Sequence, residues 1–276
     1  MTLLKILSPA DYVTIGSGAI GALGILYFTD GGETNLMIGA ALIFIAMFLD
    51  GLDGMVARKF GSKHNVGVYL DSMSDSVSFC FAPAVFVYRM FYDIHRGSAF
   101  EDIDNFLAVA TSISIATFGI VRLSIFSYFK EDELKTFLGL PTPSMAFFVL
   151  IGGLLFQDHG RILLPIIMVI VVMMVLNYPY PKIRGKLLGI SLMGLFPALI
   201  GIAMGIWDVP HYNILLAFSF IMILLYIISP LVLKIRDTNG IAGGKLVEND
   251  KDSQIEDDVD EKKMKSDLEK DVSDKD

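Results

Sequence analysis

Eight long apolar runs dominate this 276-residue chain and leave it few ways to fold. They lie at about 12–28, 36–56, 68–92, 105–128, 143–157, 162–177, 186–206 and 212–233. A helix needs roughly 20 residues, about 17–25 in practice, to cross the hydrocarbon of a bilayer. The runs therefore predict an all-α integral membrane protein, a polytopic helical bundle. The fifth and sixth are short for a crossing. Pro141 and Pro143 mark the start of the fifth, and Pro179 and Pro181 close the sixth, because proline interrupts backbone hydrogen bonding. The chain is 54% hydrophobic, above the roughly 45–50% of a soluble domain.

Charge is unevenly placed. The formal net charge is −8, but residues 245–276 alone hold 7 lysines against 13 acidic residues. The remainder holds 15 basic and 17 acidic groups, so the acidity belongs to the tail and says little about a substrate. From about residue 240 the composition is too polar to offset the entropy of ordering, and a disordered extension is expected. Loop charge gives an orientation. One set of ends carries Lys5; Arg58, Lys59 and Lys63; Lys130 and Lys135; Lys182, Arg184 and Lys186; then Lys234 and Arg236. The opposite loops carry mainly Arg96 and Arg161 among Asp30, Glu33, Glu101, Asp102, Asp104 and Asp158. Both termini and the 57–67 loop are expected on the cytoplasmic side. The first apolar run is expected to be a retained span rather than a signal peptide. A single cysteine, Cys80, excludes an intrachain disulfide framework.

Chemistry concentrates at one place. The second run ends in Asp50-Gly51-Leu52-Asp53-Gly54-Met55-Val56-Ala57-Arg58, and the third opens on Gly67-Val68-Tyr69-Leu70-Asp71-Ser72-Met73-Ser74-Asp75. Spacings of three and four put each aspartate pair on one helical face. The short loop predicts that the two helices are antiparallel neighbours, so four carboxylates converge at their cytoplasmic end. An aspartate at membrane depth costs about 2.5–3.5 kcal/mol on translocon scales, and Arg58 alone cannot balance four. Carboxylates suit hard divalent ions: Mg²⁺, Mn²⁺ or Ca²⁺. Two such ions, about 3.5–4 Å apart, would let the carboxylates bridge them. Without histidine or cysteine in the cluster, zinc is disfavoured. Gly54, Ala57 and Gly67 allow close backbone approach, and Arg58 can pair with phosphate. On spacing and charge alone, an ion or proton path remains the competing reading. No fixed-period repeat points to a transporter of two related halves.

The pattern Asp50-x2-Asp53-Gly54-x2-Ala57-Arg58-x8-Gly67-x3-Asp71-x3-Asp75 resembles the signature of the CDP-alcohol phosphotransferase family at all eight fixed positions. The resemblance implies transfer of a phosphatidyl-type group from a CDP-linked lipid to an alcohol, with release of CMP. It implies a six-helix core, usually homodimeric, here a catalytic domain over 1–177. Two additional spans over 178–236 and a charged tail over 237–276 lie outside it. It further implies metal ligation by Asp50, Asp53, Asp71 and Asp75, with Asp75 as general base. Gly54, Ala57, Arg58 and Gly67 would bind the nucleotide and pyrophosphate.

Shorter motifs resemble the serine-accepting branch: Phe137-Leu138-Gly139-Leu140-Pro141-Thr142-Pro143, preceded by Arg122-Leu123, and Asn177-Tyr178-Pro179-Tyr180-Pro181-Lys182. Pro9-Ala10-Asp11-Tyr12-Val13-Thr14 resembles the same branch and adds Asp11 and Thr14 to the CDP-lipid-binding set. Ser17 departs from it, where asparagine is common. The implied substrates are CDP-diacylglycerol or CDP-archaeol and L-serine, in a multi-pass membrane protein with no nucleic-acid partner. The serine carboxylate needs a cation, and an arginine fork matches it bidentately. Arg122 is the first candidate; Lys130 and Lys182 follow. Glycerol phosphate and inositol phosphate are the alternative acceptors.

Overall fold

The computed structural model describes residues 8–60, 66–128, 137–176, 179–180 and 186–237, without the side chains of 54–60, 128, 137–138, 179–180, 186–193 and 230–237. The acidic tail, Lys130 and Lys182 lie outside the described residues. The chain divides into two compact units, Met1–Pro230 and Leu231–Asp276. The first holds the bundle. Of the second, the described part is the end of the last helix.

Each apolar run is helical. The helices are α1 (Pro9–Asp30), α2 (Glu33–Phe60), α3 (Val66–Asp75), α4 (Ala82–Phe91), α5 (Ile103–Tyr128), α6 (Thr142–Leu155), α7 (Gly160–Met173), α8 (Lys186–Ile206) and α9 (Tyr212–Asp237). A π-helical segment, Ser76–Phe81, joins α3 to α4. Asp75 and Ala82 on either side keep right-handed helical dihedrals, so residues 66–91 form one continuous helical run. Ser8 and Asp11 form a capping box that starts α1. The Ser8 amide donates to Asp11 Oδ2 at 2.6 Å, and the Asp11 amide donates to Ser8 Oγ at 3.4 Å. Pro9 at the first helical position has no amide hydrogen to leave unpaired. Gly31, at φ 72°, closes the helix in a conformation that favours glycine.

Four described helices are long and apolar enough to cross a membrane: Pro9–Asp30, Glu33–Asp53, Ile103–Ser127 and Tyr212–Ser229. α6 and α7 have 14 residues each, short for a crossing, and are joined by a sharp turn at Gln157–His159. The Leu140 amide before α6 donates to the Met173 carbonyl at the end of α7, so the pair runs out and back to the same end. Outward-facing side chains are apolar along the bundle, with Leu26, Ile113, Ile162 and Val169 each more than 60% exposed. An apolar exterior of this kind is solvated by lipid chains rather than water. Exposed Trp207, just past α8, suits an anchor at the interface.

Small residues and aromatic rings set the packing. Gly18 and Gly21 on α1 lie against Ser74 and Ser78, and Gly24 approaches the Gly39 carbonyl on α2. Ring pairs tie α1 to α4 (Phe28–Phe86, 5.2 Å), α2 to α6 (Phe44–Phe147, 4.9 Å) and α6 to α9 (Phe148–Phe220, 5.0 Å). At one end of the bundle Asp104 accepts from Arg96 and Arg161, each at 2.6 Å, fastening α5 to α7 and to the preceding loop.

The second and third spans approach each other as expected, with α1 packed against both. α3 leans on α1 and α5, and α2 meets the 66–91 run mainly at the π segment. Among the described residues, α2 and α3 each pack more closely on α1 than on each other, and the aspartates stand between them.

Candidate active site

Asp50 and Asp53 stand on α2, Asp71 and Asp75 on α3. Asp50, Asp53 and Asp71 each offer a carboxylate oxygen, and the three oxygens lie within 4.8 Å of one another. Asp53 is buried, while Asp50 and Asp71 are half-buried. Asp75 stands beside this trio, its carboxyl next to that of Asp50. Such a donor set, all hard oxygen and partly exposed, fits a divalent ion of the Mg²⁺ or Mn²⁺ kind. It does not fit a soft-metal site.

Asp75 has a further distinction. It is the last residue before the π-helical turn, where the Ala82 amide reaches back to the Val77 carbonyl. The wider turn shifts the angular register of everything on either side of it. Asp75 thus takes a different line from one that a regular helix through 66–91 would impose. π segments within α-helices concentrate at functional sites.

The surrounding hydroxyls hold this geometry. Thr14 Oγ1 donates to Asp53 Oδ2 at 2.6 Å, and the Thr14 carbonyl accepts from Ser74 Oγ at 3.0 Å. Ser17 Oγ donates to the Ala46 carbonyl at 2.9 Å. Thr14 is thus bonded to a site carboxylate, and Asp11 is committed to capping α1. Ser17, at the position where asparagine is common, ties α1 to α2. Gly54, Ala57 and Arg58 fall on the last turns of α2, and Gly67 on the first turn of α3. They lie on the same two helices as the aspartates.

Arg122 is buried at 7% exposure on α5. Its Nη1 donates to Thr142 Oγ1 at 2.9 Å, and its guanidinium carbon lies 5.4 Å from the Phe126 ring centroid. Its Nε is buried without a hydrogen-bond partner among the described residues. Asp75 and Tyr226 are within electrostatic range of it. The two proline-rich motifs meet nearby. Phe137 pairs with Tyr180 and Leu138 with Pro179 in a two-residue antiparallel ladder, β1 (Phe137–Leu138) with β2 (Pro179–Tyr180). Gly139, at φ 78°, sits where a Cβ would strike the Met174 carbonyl, and the next amide, Leu140, donates to the Met173 carbonyl at 3.3 Å. This junction delivers Thr142 to Arg122.

Two contributors are not evident from sequence alone. The Gly18-x2-Gly21-x2-Gly24 spacing opposite Ser74 and Ser78 is a readable signal of close helix approach. Thr142 belongs to a proline-rich motif, but nothing local announces its partner.

Fold and site together define a polytopic membrane protein with a hard-cation carboxylate site at one end of its helices and a buried guanidinium beside it. A family model described as CDP-alcohol phosphatidyltransferase matches residues 7–176, and the chain belongs to that family. It is 29% identical over 213 residues to the CDP-diacylglycerol–serine O-phosphatidyltransferase of Methanocaldococcus jannaschii, covering 77% of this chain and 90% of that protein. It is 31% identical over 178 residues to the archaetidylserine synthase of Methanothermobacter thermautotrophicus, covering 63% and 70%. With the serine O-phosphatidyltransferase of Bacillus subtilis it shares 33% identity over 135 residues, covering 48% and 67%.

Proposed function

We propose that this chain transfers the phosphatidyl or archaetidyl group of a CDP-linked lipid to the hydroxyl of L-serine, releasing CMP. The observation that carries the reading is the Asp50, Asp53 and Asp71 trio with Asp75 and the buried Arg122 beside it. The names of the relatives supply the acceptor.

Asp50, Asp53 and Asp71 would hold the divalent cation, and Asp75 would share in its ligation. When bound, such a cation screens the donor phosphate and stabilises the leaving CMP. Gly54, Ala57 and Gly67 leave room for the nucleotide, and Arg58 pairs with its phosphates. Thr14 fixes the direction of the Asp53 carboxylate. Asp75 accepts the serine hydroxyl proton as the serine oxygen bonds to phosphorus. The bond from that phosphorus to the CMP oxygen breaks, and CMP departs with the electron pair. Arg122 Nε and Thr142 Oγ1 hold the serine carboxylate. Lys130 and Lys182 remain secondary candidates for that role. The lipid chains stay in the bilayer while the head group reacts at the aspartates.

The domain division at 177 and 236, a homodimeric assembly, and an active site and termini on the cytoplasmic side complete the proposal. Loop charge supports the orientation; family resemblance supports the dimer. The test is CMP release by the purified chain from a CDP-lipid. Release should require both L-serine and Mg²⁺ or Mn²⁺. Release with glycerol phosphate or inositol phosphate in place of serine would overturn the acceptor. Release that survives Asp75→Asn would overturn the role of Asp75.

A further inference from the structure

α3 carries two of the four site carboxylates, and its rotation about its own axis decides where they face. Successive residues of an α-helix turn by about 100°, so Asp71 and Asp75 lie only about 40° apart around α3. By the same count Ser72 and Ser74 stand about 80° to either side of the midpoint between the two aspartates. Each of these serines is bonded to a different neighbouring helix. Ser74 Oγ donates to the Thr14 carbonyl of α1 at 3.0 Å. Ser72 Oγ lies 2.6 Å from Ser127 Oγ of α5.

The Ser72–Ser127 contact has the protons it needs. Each hydroxyl also reaches a carbonyl one turn back in its own helix, that of Val68 at 3.0 Å from Ser72 and that of Leu123 at 2.8 Å from Ser127. Whichever serine donates across, the other can donate to its own helix, so both protons are used. Ser124, the neighbouring serine of α5, spends its hydroxyl differently: it donates to the Ile120 carbonyl of the same helix at 2.8 Å. A helix tied on one side of its working face can still roll about that tie. A helix tied on both sides cannot roll without breaking a bond.

We propose that the Ser72–Ser127 hydroxyl pair positions Asp71 and Asp75, fixing the roll of α3 between α1 and α5. Ser72 and Ser127 are positioning residues that act through the two aspartates. The inference rests on the divalent-cation reading above. It gives α5, which contributes no carboxylate to the site, a part in setting the affinity for the cation.

The experiment uses the full-length chain in detergent, with Mn²⁺ binding followed by the free-ion electron paramagnetic resonance signal and CMP release measured in parallel. Apparent affinity falls in proportion to the fraction of molecules in the competent arrangement, and one hydrogen bond limits that fall to roughly 10-fold. Ser127→Ala should therefore weaken Mn²⁺ binding about 3- to 10-fold with the number of ions bound unchanged. At saturating Mn²⁺ its kcat should return to within about 2-fold of wild type, because the bound cation selects the competent roll. Ser127→Thr keeps the hydroxyl and should recover the affinity. Ser72→Ala combined with Ser127→Ala should bind no more weakly than Ser127→Ala alone, because the two residues share one bond. Ser124→Ala should match wild type. Unchanged affinity in Ser127→Ala overturns this inference and leaves the cation reading standing. Fewer ions bound at unchanged affinity, with a loss of kcat that excess Mn²⁺ does not restore, assigns the pair a purely structural role and overturns it too. A wild-type chain without saturable Mn²⁺ binding overturns the parent reading and this inference with it.

Discussion

The Thr14 hydroxyl and the Asp53 carboxylate, 39 residues apart in sequence, are joined by a 2.6 Å hydrogen bond in the buried contact between α1 and α2. Thr14 is fixed in turn, because Ser74 on α3 donates to its carbonyl. One α1 residue thus links both helices that carry the aspartates. Groups that orient metal ligands from behind typically matter 10–100-fold to metal affinity. Thr14→Val should therefore weaken Mn²⁺ binding roughly 10-fold, read by the free-Mn²⁺ electron paramagnetic resonance signal during titration. Thr14→Ser keeps the donor and should bind Mn²⁺ nearly as tightly as wild type.

Asp75 should separate from the other three carboxylates. General-base catalysis contributes about 10²–10⁴-fold, so Asp75→Asn should lose CMP release by that order while Mn²⁺ binding falls far less. Asp53→Asn should lose both, because Asp53 belongs to the trio whose oxygens lie within 4.8 Å of one another. The pair of titrations, rate against serine and binding against Mn²⁺, distinguishes the roles.

Chelation provides a broader check. The trio offers only carboxylate oxygen, which suits hard cations. Removal of divalent ions with EDTA should abolish CMP release, and Mg²⁺ or Mn²⁺ should restore it. Recovery with Zn²⁺ alone would contradict the donor-set argument.

The helices were legible because the apolar runs are long, and the site was legible because charged residues so seldom lie in such runs. What escaped were long-range relations. The return of α7 to the start of α6, which sets the Met173 carbonyl on the Leu140 amide, joins residues that no local pattern pairs. The π segment at Ser76–Phe81 carries no composition of its own, since Val77, Phe79 and Phe81 would serve as well in a regular helix. The expected approach of the second and third spans holds at the aspartates, but loop length constrains only the ends of two helices. It does not say that α1 packs along both. Arg122 was visible as a cation, but its partner Thr142 on α6 lies 20 positions away.

The glycines of α1 make the last relation testable. A Cβ on Gly21 would overlap Ser78 Oγ and come within 2.9 Å of Ser78 Cβ and 3.0 Å of its Cα. A Cβ on Gly18 would meet Ser74 Oγ at 2.9 Å but Ser74 Cβ only at 3.3 Å. Overpacking of a close contact costs about 1–3 kcal/mol, and more where backbone must move. Gly21→Ala should thus lower the Tm in detergent more than Gly18→Ala. Ser78→Ala should not rescue Gly21→Ala, because the Ser78 Cβ is itself too close. Gly18→Ala should cost less stability yet weaken Mn²⁺ binding, because Ser74 must shift and its hydroxyl anchors the Thr14 carbonyl behind Asp53. A Gly18→Ala variant with wild-type Mn²⁺ affinity would show that the Ser74–Thr14 link does not reach the metal ligands.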